Sequence, residues 1–109
     1  MHEITDNVEL DNIITFDQFK SIELKTAKII EAERVDGSDK LLKIQVEIHN
    51  EKRQIISGIA EHYSTEELID KIIIVVTNLK PAKFFGIESY GMLLAAKKGK
   101  DLTLITLDS

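Results

Sequence analysis

The sequence predicts an all-β protein with two short helices. Short apolar runs, either alternating or continuous, recur along the 109 residues, and clusters of turn residues separate them. Only two segments carry the polar signals that start helices. Apolar residues make up 43% of the chain, which is enough for one small core. We therefore expect a single compact domain.

The N-terminal region divides into an arm and a helix. Residues 1–14 contain four acidic residues and no Lys or Arg, and their apolar periodicity is weak. We predict a flexible acidic arm there, followed by a folded domain over residues 15–109. Residues 15–18 read Thr-Phe-Asp-Gln, a capping box that predicts a short helix. We expect Phe16 and Phe19 on that helix to dock on the core.

The next segment predicts three strands. Residues 25–33 form the first candidate, and the Gly-centred sequence 35–40 follows as a turn. Residues 42–48 alternate between apolar and polar side chains, as expected of a strand with one buried face. Residues 49–52 are predicted to be a hairpin loop, after which residues 53–58 return as the partner strand.

A second capping box, Ser-Thr-Glu-Glu at residues 64–67, predicts a short helix after the third strand. The apolar runs 72–76 and 92–96 are predicted to be buried strands, and residues 102–107 a final strand. A helix between strands three and four of an all-β chain is the layout of the OB-fold, a five-stranded Greek-key barrel. Another kind of β-barrel also fits this pattern.

The connection 78–92 carries the strongest local signal for binding. It joins two predicted core strands and contains two lysines, two phenylalanines and the single proline of the chain, Pro81. Pro81 restricts its own backbone and that of the preceding residue, so the connection is stiff. Long loops between core strands usually bind a ligand. In the OB-fold, this loop, the strand 1–2 loop and the strand 2–3 face bind oligonucleotides or oligosaccharides.

Composition and motifs favour binding over catalysis. The three histidines lie apart from one another, no cysteine is present, and the glycines do not form a phosphate-binding loop. We therefore predict no enzyme activity, no metal and no cofactor. No stretch predicts a membrane span or a signal peptide, so a cytoplasmic protein without a membrane partner is expected.

The charge of the chain restricts the kind of nucleic-acid site it can form. The formal net charge is −5, which opposes general nucleic-acid binding. Four of the 19 acidic residues lie in residues 1–14, which leaves 14 basic residues against 15 acidic ones. Any basic surface must therefore be local.

The candidate binding residues combine cations, an aromatic ring and neutral polar groups. Lysine and arginine side chains would contact phosphates. One of the adjacent rings of Phe84 and Phe85 would stack a base while the other plugs the barrel end. The amide and the hydroxyl would bind base edges or a 2′-hydroxyl, or else cap their own loop, and the methionine is more often a core residue than a contact. The candidates are Lys28, Lys40, Arg53, Asn78, Lys80, Lys83, Phe84, Ser89 and Met92.

Four ordered segments resemble the tRNA-binding domain family. They are residues 37–42 (Gly-Ser-Asp-Lys-Leu-Leu), 53–60 (Arg-Gln-Ile-Ile-Ser-Gly-Ile-Ala), 78–83 (Asn-Leu-Lys-Pro-Ala-Lys) and 86–96, which contains Ser-Tyr-Gly-Met. The family includes C-terminal modules of methionyl-tRNA synthetases, stand-alone tRNA-binding proteins described as synthetase beta subunits, EMAP-like domains and CsaA-type chaperones.

The resemblance implies an OB-fold that binds tRNA largely by its shape. It implies an accessory beta subunit or trans-acting cofactor of methionyl-tRNA synthetase or of another synthetase, and a homodimer in many members. The family's contact residues carry over to Asn78, Lys80, Lys83, Ser89 and Met92, and more weakly to Lys40 and Arg53.

Two other functions fit the same resemblance. The first is a peptide-binding secretion chaperone of the CsaA type, which the low positive charge and the apolar loop favour. The second is an interaction domain that keeps the fold without binding RNA.

Overall fold

A computed structural model describes residues 12–108. The acidic arm predicted over residues 1–14 therefore lies outside the described residues, except for its last three positions, which are exposed. Within the described range, no helix is long and apolar enough to cross a membrane.

The described residues form ten strands and two short α-helices. In chain order they are α1 (Phe16–Lys20), β1 (Leu24–Arg34), β2 (Leu42–Ile48), β3 (Glu51–Ser57), α2 (Thr65–Leu68), β4 (Ile72–Val76), β5 (Ala82–Phe84), β6 (Ile87–Ser89), β7 (Met92–Leu93), β8 (Ala95–Lys98), β9 (Asp101–Leu104) and β10 (Thr106–Leu107). The predicted all-β, OB-like fold is confirmed, with α2 between the third and fourth strands.

The main sheet curls because β1 pairs with two different strands along its length. The first half of β1 pairs with β4, and the second half pairs with β2. A register shift between Ile29 and Glu31 marks the bend between the halves. The strand order is β10-β4-β1-β2-β3, and β7 adds to β4. A sheet bent in this way wraps around one core as a half-barrel.

The core fills the inside of that curl. Alternate residues of β2 are buried, as its sequence pattern predicts. Ile44 faces Ile55 across the β2–β3 pair, and both are fully buried. Leu68 of α2 is also fully buried in the same cluster. Each such side chain stabilises the fold by about 1.5–3 kcal/mol relative to an exposed one.

Both predicted capping boxes are present, but the first helix does not pack as expected. Thr15 and Ser64 each accept a hydrogen bond from the third helical residue, whose side chain binds back to the cap. The prediction that Phe16 and Phe19 dock on the core is wrong, since they are 71% and 54% exposed. Helix α1 has only five residues and buries none of them. Its two rings lie against each other instead, with centroids 6.4 Å apart.

Three parts of the chain differ from the sequence prediction. The β2–β3 turn is two residues long, because Ile48 pairs with Glu51. The 78–92 connection is not a plain loop but contains the β5–β6 hairpin. The predicted strands 92–96 and 102–107 each divide, at Leu94 and Ile105. The backbone N–H of Leu94 donates to Ile74, and that of Ile105 donates to Leu94, so the chain leaves the main sheet there to form the β8–β9 hairpin.

Candidate nucleic-acid interface

The hairpin β5–β6 presents two different faces. Ala82 pairs with Ser89, Lys83 with Glu88 and Phe84 with Ile87. Because side chains alternate across a strand, Lys83 and Glu88 share the outer face, and both are exposed. Phe84 and Ile87 share the inner face and are half-buried, and Ser89 beside them is buried. The hairpin therefore offers its cation to solvent and its apolar face to the protein.

Three predicted lysines are available to a ligand. Lys40, Lys80 and Lys83 are exposed. Among residues 12–108, none of them belongs to an ion pair within 4.0 Å. Their ammonium groups can therefore bind phosphate without breaking a salt bridge. Lys28 differs, because it lies 3.6 Å from Asp70 and lines a separate cavity with Asp70 and Thr106.

Arg53 joins the two ends of the insertion between β4 and β7. Its Nη1 donates to the carbonyl of Thr77 at 2.8 Å and to that of Tyr90 at 3.1 Å. Its Nε lies 3.5 Å from Glu51 Oε1. The side chain is 26% exposed. The guanidinium predicted to contact RNA is therefore used to hold the insertion in place.

Asn78 anchors the start of the insertion. Its Nδ2 donates to the Ser21 carbonyl at 2.7 Å, and its Oδ1 accepts from the Glu23 N–H at 2.8 Å. The two bonds tie the insertion to the segment that enters β1. The sequence left Asn78 to bind a base or to cap its own loop; in the structure its amide instead binds backbone groups of a different segment, residues 21 and 23.

The hydroxyl of Ser89 is not accessible at the surface. It is 2% exposed, accepts from the Ile56 N–H at 3.0 Å, and donates to the Gly91 carbonyl at 2.9 Å. The sequence left this hydroxyl to reach a base edge or to cap its own loop, and the structure has the second, since the hydroxyl donates to Gly91 and is buried. Tyr90 N–H also donates to the Gln54 carbonyl at 2.8 Å. Together these bonds attach the insertion to the edge of β3.

The two phenylalanines and the methionine also divide by position. Phe84, the ring selected for base stacking, is half-buried on the inner face of the hairpin. Phe85 lies at the hairpin tip and is 64% exposed. Met92 is half-buried and packs against the core, as its residue type favours. Base stacking by Phe84 stays a prediction, and Phe85 is the more accessible ring.

A cleft of about 730 Å³ lies between the β2–β3 face and the insertion. This is where the OB-fold places its ligand. Arg53 lines it together with residues that sequence reasoning missed, among them Gln45, Lys52, Gln54 and Tyr90. The alternation of β2 and β3 carried a signal for Gln45 and Gln54, because both lie on the wet face, where Gln45 Nε2 donates to Gln54 Oε1 at 3.0 Å. Tyr90 had no such signal.

Tyr90 has an altered acidity. Its hydroxyl donates a hydrogen bond to the Glu88 carboxylate. This bond, with the negative charge of Glu88, raises the pKa of the Tyr90 phenol above its ordinary value of 10.0. Tyr90 is also partly exposed and lines the cleft.

The family model described as "Putative tRNA binding domain" matches residues 24–109. The chain belongs to the tRNA-binding domain family. The match spans the whole curled sheet and the insertion, so it includes every residue of the cleft. The name of the family refers to a binding domain. In the part of the chain that the structure describes, no group of three or more His, Asp or Glu residues is placed to hold a metal ion.

Relatives of this tRNA-binding domain include methionine–tRNA ligases. The ligase of Thermotoga maritima is 58% identical over 97 residues, which cover 89% of this chain and 15% of the ligase. The ligase of Methanothrix thermoacetophila is 52% identical over 96 residues, covering 88% of this chain and 14% of the ligase. The chain thus spans about one-seventh of the length of these relatives.

A solved structure described as a MetRS related protein from Pyrococcus horikoshii is 38% identical to this tRNA-binding domain, with a TM-score of 0.82. The match covers 88% of this chain and 89% of that one. A CsaA chaperone protein from Picrophilus torridus is 25% identical with a TM-score of 0.80, covering 89% of this chain and 92% of that one. The domain therefore resembles compact proteins of nearly its own size as well as a segment of large ligases.

Proposed function

We propose that this chain binds tRNA without catalysing a reaction, as an accessory subunit or trans-acting cofactor of methionyl-tRNA synthetase. The observation that carries the proposal is the placement of Lys80 and Lys83. Both are exposed on an insertion whose two ends are held by Arg53, beside the cleft of about 730 Å³. Fixed cations next to a groove suit a folded, negatively charged ligand.

The binding mechanism depends on phosphates more than on bases. Lys40, Lys80 and Lys83 contact the RNA backbone, and each contact releases counterions. Arg53 and Asn78, whose hydrogen bonds lie within the protein, fix the position of that surface. Contacts to phosphate position an RNA without reading its sequence, so many tRNAs are expected to bind alike.

The remaining candidates take indirect roles in the proposal. Ser89 and Met92 hold the base of the hairpin through buried contacts. Phe84 supports the hairpin from its inner face, where it is half-buried and less accessible to a base than Phe85. Lys28 lies at a different cavity and adds at most a peripheral phosphate contact.

The synthetase partnership draws on the methionine–tRNA ligases that match this chain. A tRNA held by this domain next to a catalytic subunit would meet the active site at a raised effective concentration. The proposal places this partnership in the cytoplasm. We also propose that the chain forms a homodimer, which sedimentation of the purified chain would detect.

The test is a titration of unmodified tRNA into the protein at several salt concentrations. The logarithm of the association constant should fall linearly with the logarithm of salt concentration, with a slope of roughly −0.7 to −0.9 for each phosphate contact. Three lysine contacts predict a slope of roughly −2 to −3. Binding that is undetectable at low salt would overturn the proposal.

A second candidate function is peptide binding of the chaperone type. The observation that favours it is the set of exposed large apolar side chains near the insertion and on α1, together with the similarity to the CsaA chaperone protein. Titrating a permanently unfolded polypeptide in parallel separates the two functions. Salt-insensitive capture of the polypeptide, with no tRNA binding, would favour the chaperone.

A further inference from the structure

We propose that a slot between the hairpin tip and the first loop binds one unpaired nucleotide of the RNA, with its base stacked on Phe85. The inference rests on the proposed tRNA binding and names a subsite of it. The slot is a cavity of about 380 Å³ lined by residues 33–36, Lys43, Phe85 and Ile87. It shares no lining residue with the main cleft.

The backbone of Phe85 is unfavourable for its residue type. Phe84 pairs with Ile87, so Phe85 and Gly86 form a two-residue turn, and their φ values of 53° and 77° are both positive. Turns of this kind favour Asn-Gly or Asp-Gly, because a bulky side chain is disfavoured at positive φ. Burial of the ring does not offset this cost, since Phe85 is 64% exposed. A strained residue with an accessible ring at a loop tip points to a ligand contact.

The opposite wall of the slot comes close to this ring. A Cβ placed on Gly37 would lie 3.7 Å from Phe85 Cε2, at ordinary contact distance, so the base stacks on the part of the ring turned away from Gly37 and not between the two. The Ser38 hydroxyl accepts hydrogen bonds from the N–H groups of Lys40 and Leu41, and Ser38 N–H donates to the Val35 carbonyl. These bonds hold the first loop in one conformation. Both walls are therefore built before a ligand arrives.

The charges around the slot suit a base better than a phosphate. Glu33 and Asp36 balance Arg34 and Lys43, so the formal charge of the lining is zero. Glu33 is also paired with Lys43 at 2.9 Å. Phosphates are better served by Lys40, Lys80 and Lys83, which carry no such pairing among the described residues.

Asp36 gives the slot a preference among bases. Its carboxylate makes no hydrogen bond or ion pair within the described part of the chain, and the residue is exposed at the rim. A carboxylate accepts hydrogen bonds and donates none, so it favours a base with an exocyclic amino group, such as adenine or cytosine, over uracil. In a duplex both faces of the base are stacked on its neighbours, so only an unpaired nucleotide can stack on Phe85.

The experiment uses a short, unstructured RNA with a central 2-aminopurine, whose fluorescence changes when it stacks on an aromatic ring. Phe85→Asn removes the ring and supplies a side chain that tolerates positive φ. Phe85→Tyr keeps the ring. Phe16→Ala removes a similarly exposed phenylalanine from α1, which does not line the slot.

Phe85→Asn should weaken binding of the strand roughly 5- to 150-fold, as expected for the loss of one base–aromatic stack, and should abolish the fluorescence change. Its melting temperature should be equal to or higher than that of the wild type, because Asn-Gly suits this turn. Weaker binding by a protein that is no less stable cannot arise from misfolding. Phe85→Tyr and Phe16→Ala should both behave as the wild type.

Two results would overturn the inference without touching the proposed function. The first is salt-dependent tRNA binding by the wild type with strand affinity and fluorescence unchanged in Phe85→Asn. The second, aimed at the base preference, is an Asp36→Ala protein that still prefers oligocytidine to oligouridine by the wild-type factor. If the wild type binds no tRNA at any salt concentration, the proposed function fails first.

Discussion

Two lysine-bearing hairpins project from the same small sheet, and they differ in how they are held. The β8–β9 hairpin carries Lys97, Lys98 and Lys100 with one acidic residue, whereas the insertion carries Lys80 and Lys83 with one acidic residue. By charge alone, β8–β9 would be the better phosphate site. The comparison therefore turns on how each hairpin is attached.

The insertion is attached by side chains from three directions. Arg53 binds both of its ends, Asn78 ties it to the segment before β1, and Ser89 ties it to β3. Among the described residues, the β8–β9 hairpin is attached by one side-chain hydrogen bond, from the N–H of Leu104 to the Tyr63 hydroxyl, and by packing of Leu102 and Leu104 against the core, while all four residues of β8 are exposed. Cations on a fixed element lose less conformational freedom when a ligand binds. The candidate interface differs from the β8–β9 hairpin in how it is attached to the sheet, more than in its number of lysines.

The strongest test of this comparison is a pair of matched charge reversals. Lys80→Glu with Lys83→Glu should weaken tRNA binding by tenfold or more, on the order expected for two lost phosphate contacts, and reduce the salt slope by about 2. Lys97→Glu with Lys98→Glu makes the same change in net charge on the other hairpin. It should have a clearly smaller effect on the affinity, measured by filter binding or fluorescence anisotropy. Equal losses in the two double variants would remove the distinction between the hairpins.

Substitutions of Arg53 test whether the attachment of the insertion matters for tRNA binding apart from its charge. Arg53→Ala should lower the free energy of unfolding by about 2–3 kcal/mol, because two charge-assisted hydrogen bonds to backbone carbonyls are lost. Chemical denaturation measures this loss. Arg53→Lys keeps the charge but not the planar fork, so it should remain destabilised and bind tRNA weakly. Full binding by Arg53→Lys would assign Arg53 to phosphate contact instead.

Ser89 gives a smaller effect of the same kind. Ser89→Ala leaves the Ile56 N–H without its acceptor, so a destabilisation of about 1–2 kcal/mol is expected. Ser21→Ala, at an exposed hydroxyl after α1, is the control and should stay within about 0.5 kcal/mol of the wild type. The midpoints of urea unfolding compare the two. A neutral Ser89→Ala would mean that this bond does not hold the hairpin to β3.

The smallest effect concerns the outer face of the hairpin. Glu88→Gln should return the pKa of Tyr90 toward its ordinary value, because the carboxylate that raises it is gone. A pKa raised by folding gives stability that is present below the pKa of the unfolded chain and is lost as pH rises through the folded pKa. Ultraviolet-difference titration of the phenol measures the shift, with Tyr90→Phe identifying its signal. An unchanged titration in Glu88→Gln would exclude this hydrogen bond in solution.

Local patterns predicted most of the fold. The alternation of β2 and both capping boxes depend on neighbours in the chain, and the structure confirms them. The docking of Phe16 failed because a capping box starts a helix but does not fix what the helix packs against. The burial of a five-residue helix is a tertiary matter that periodicity cannot show.

The candidate site was predicted as a region but not residue by residue. The hydroxyl of Ser89 meets a partner 33 positions away, and Arg53 reaches across 24 and 37 positions. No spacing rule reports such distances. Likewise, which of Phe84 and Phe85 faces outward depends on the hairpin register, and the pairing of Phe84 with Ile87 alone settles it.

Arg53 grips two main-chain carbonyls, Thr77 and Tyr90, and no side chain of the segment between them. These two hydrogen bonds therefore do not depend on which amino acids form the tip. Substitutions at Lys83, Phe84 or Phe85 leave the attachment points unchanged. We expect that a different recognition sequence of the same length can replace the tip of this segment, provided that Asn78 and Ser89, whose side chains also anchor it, are kept.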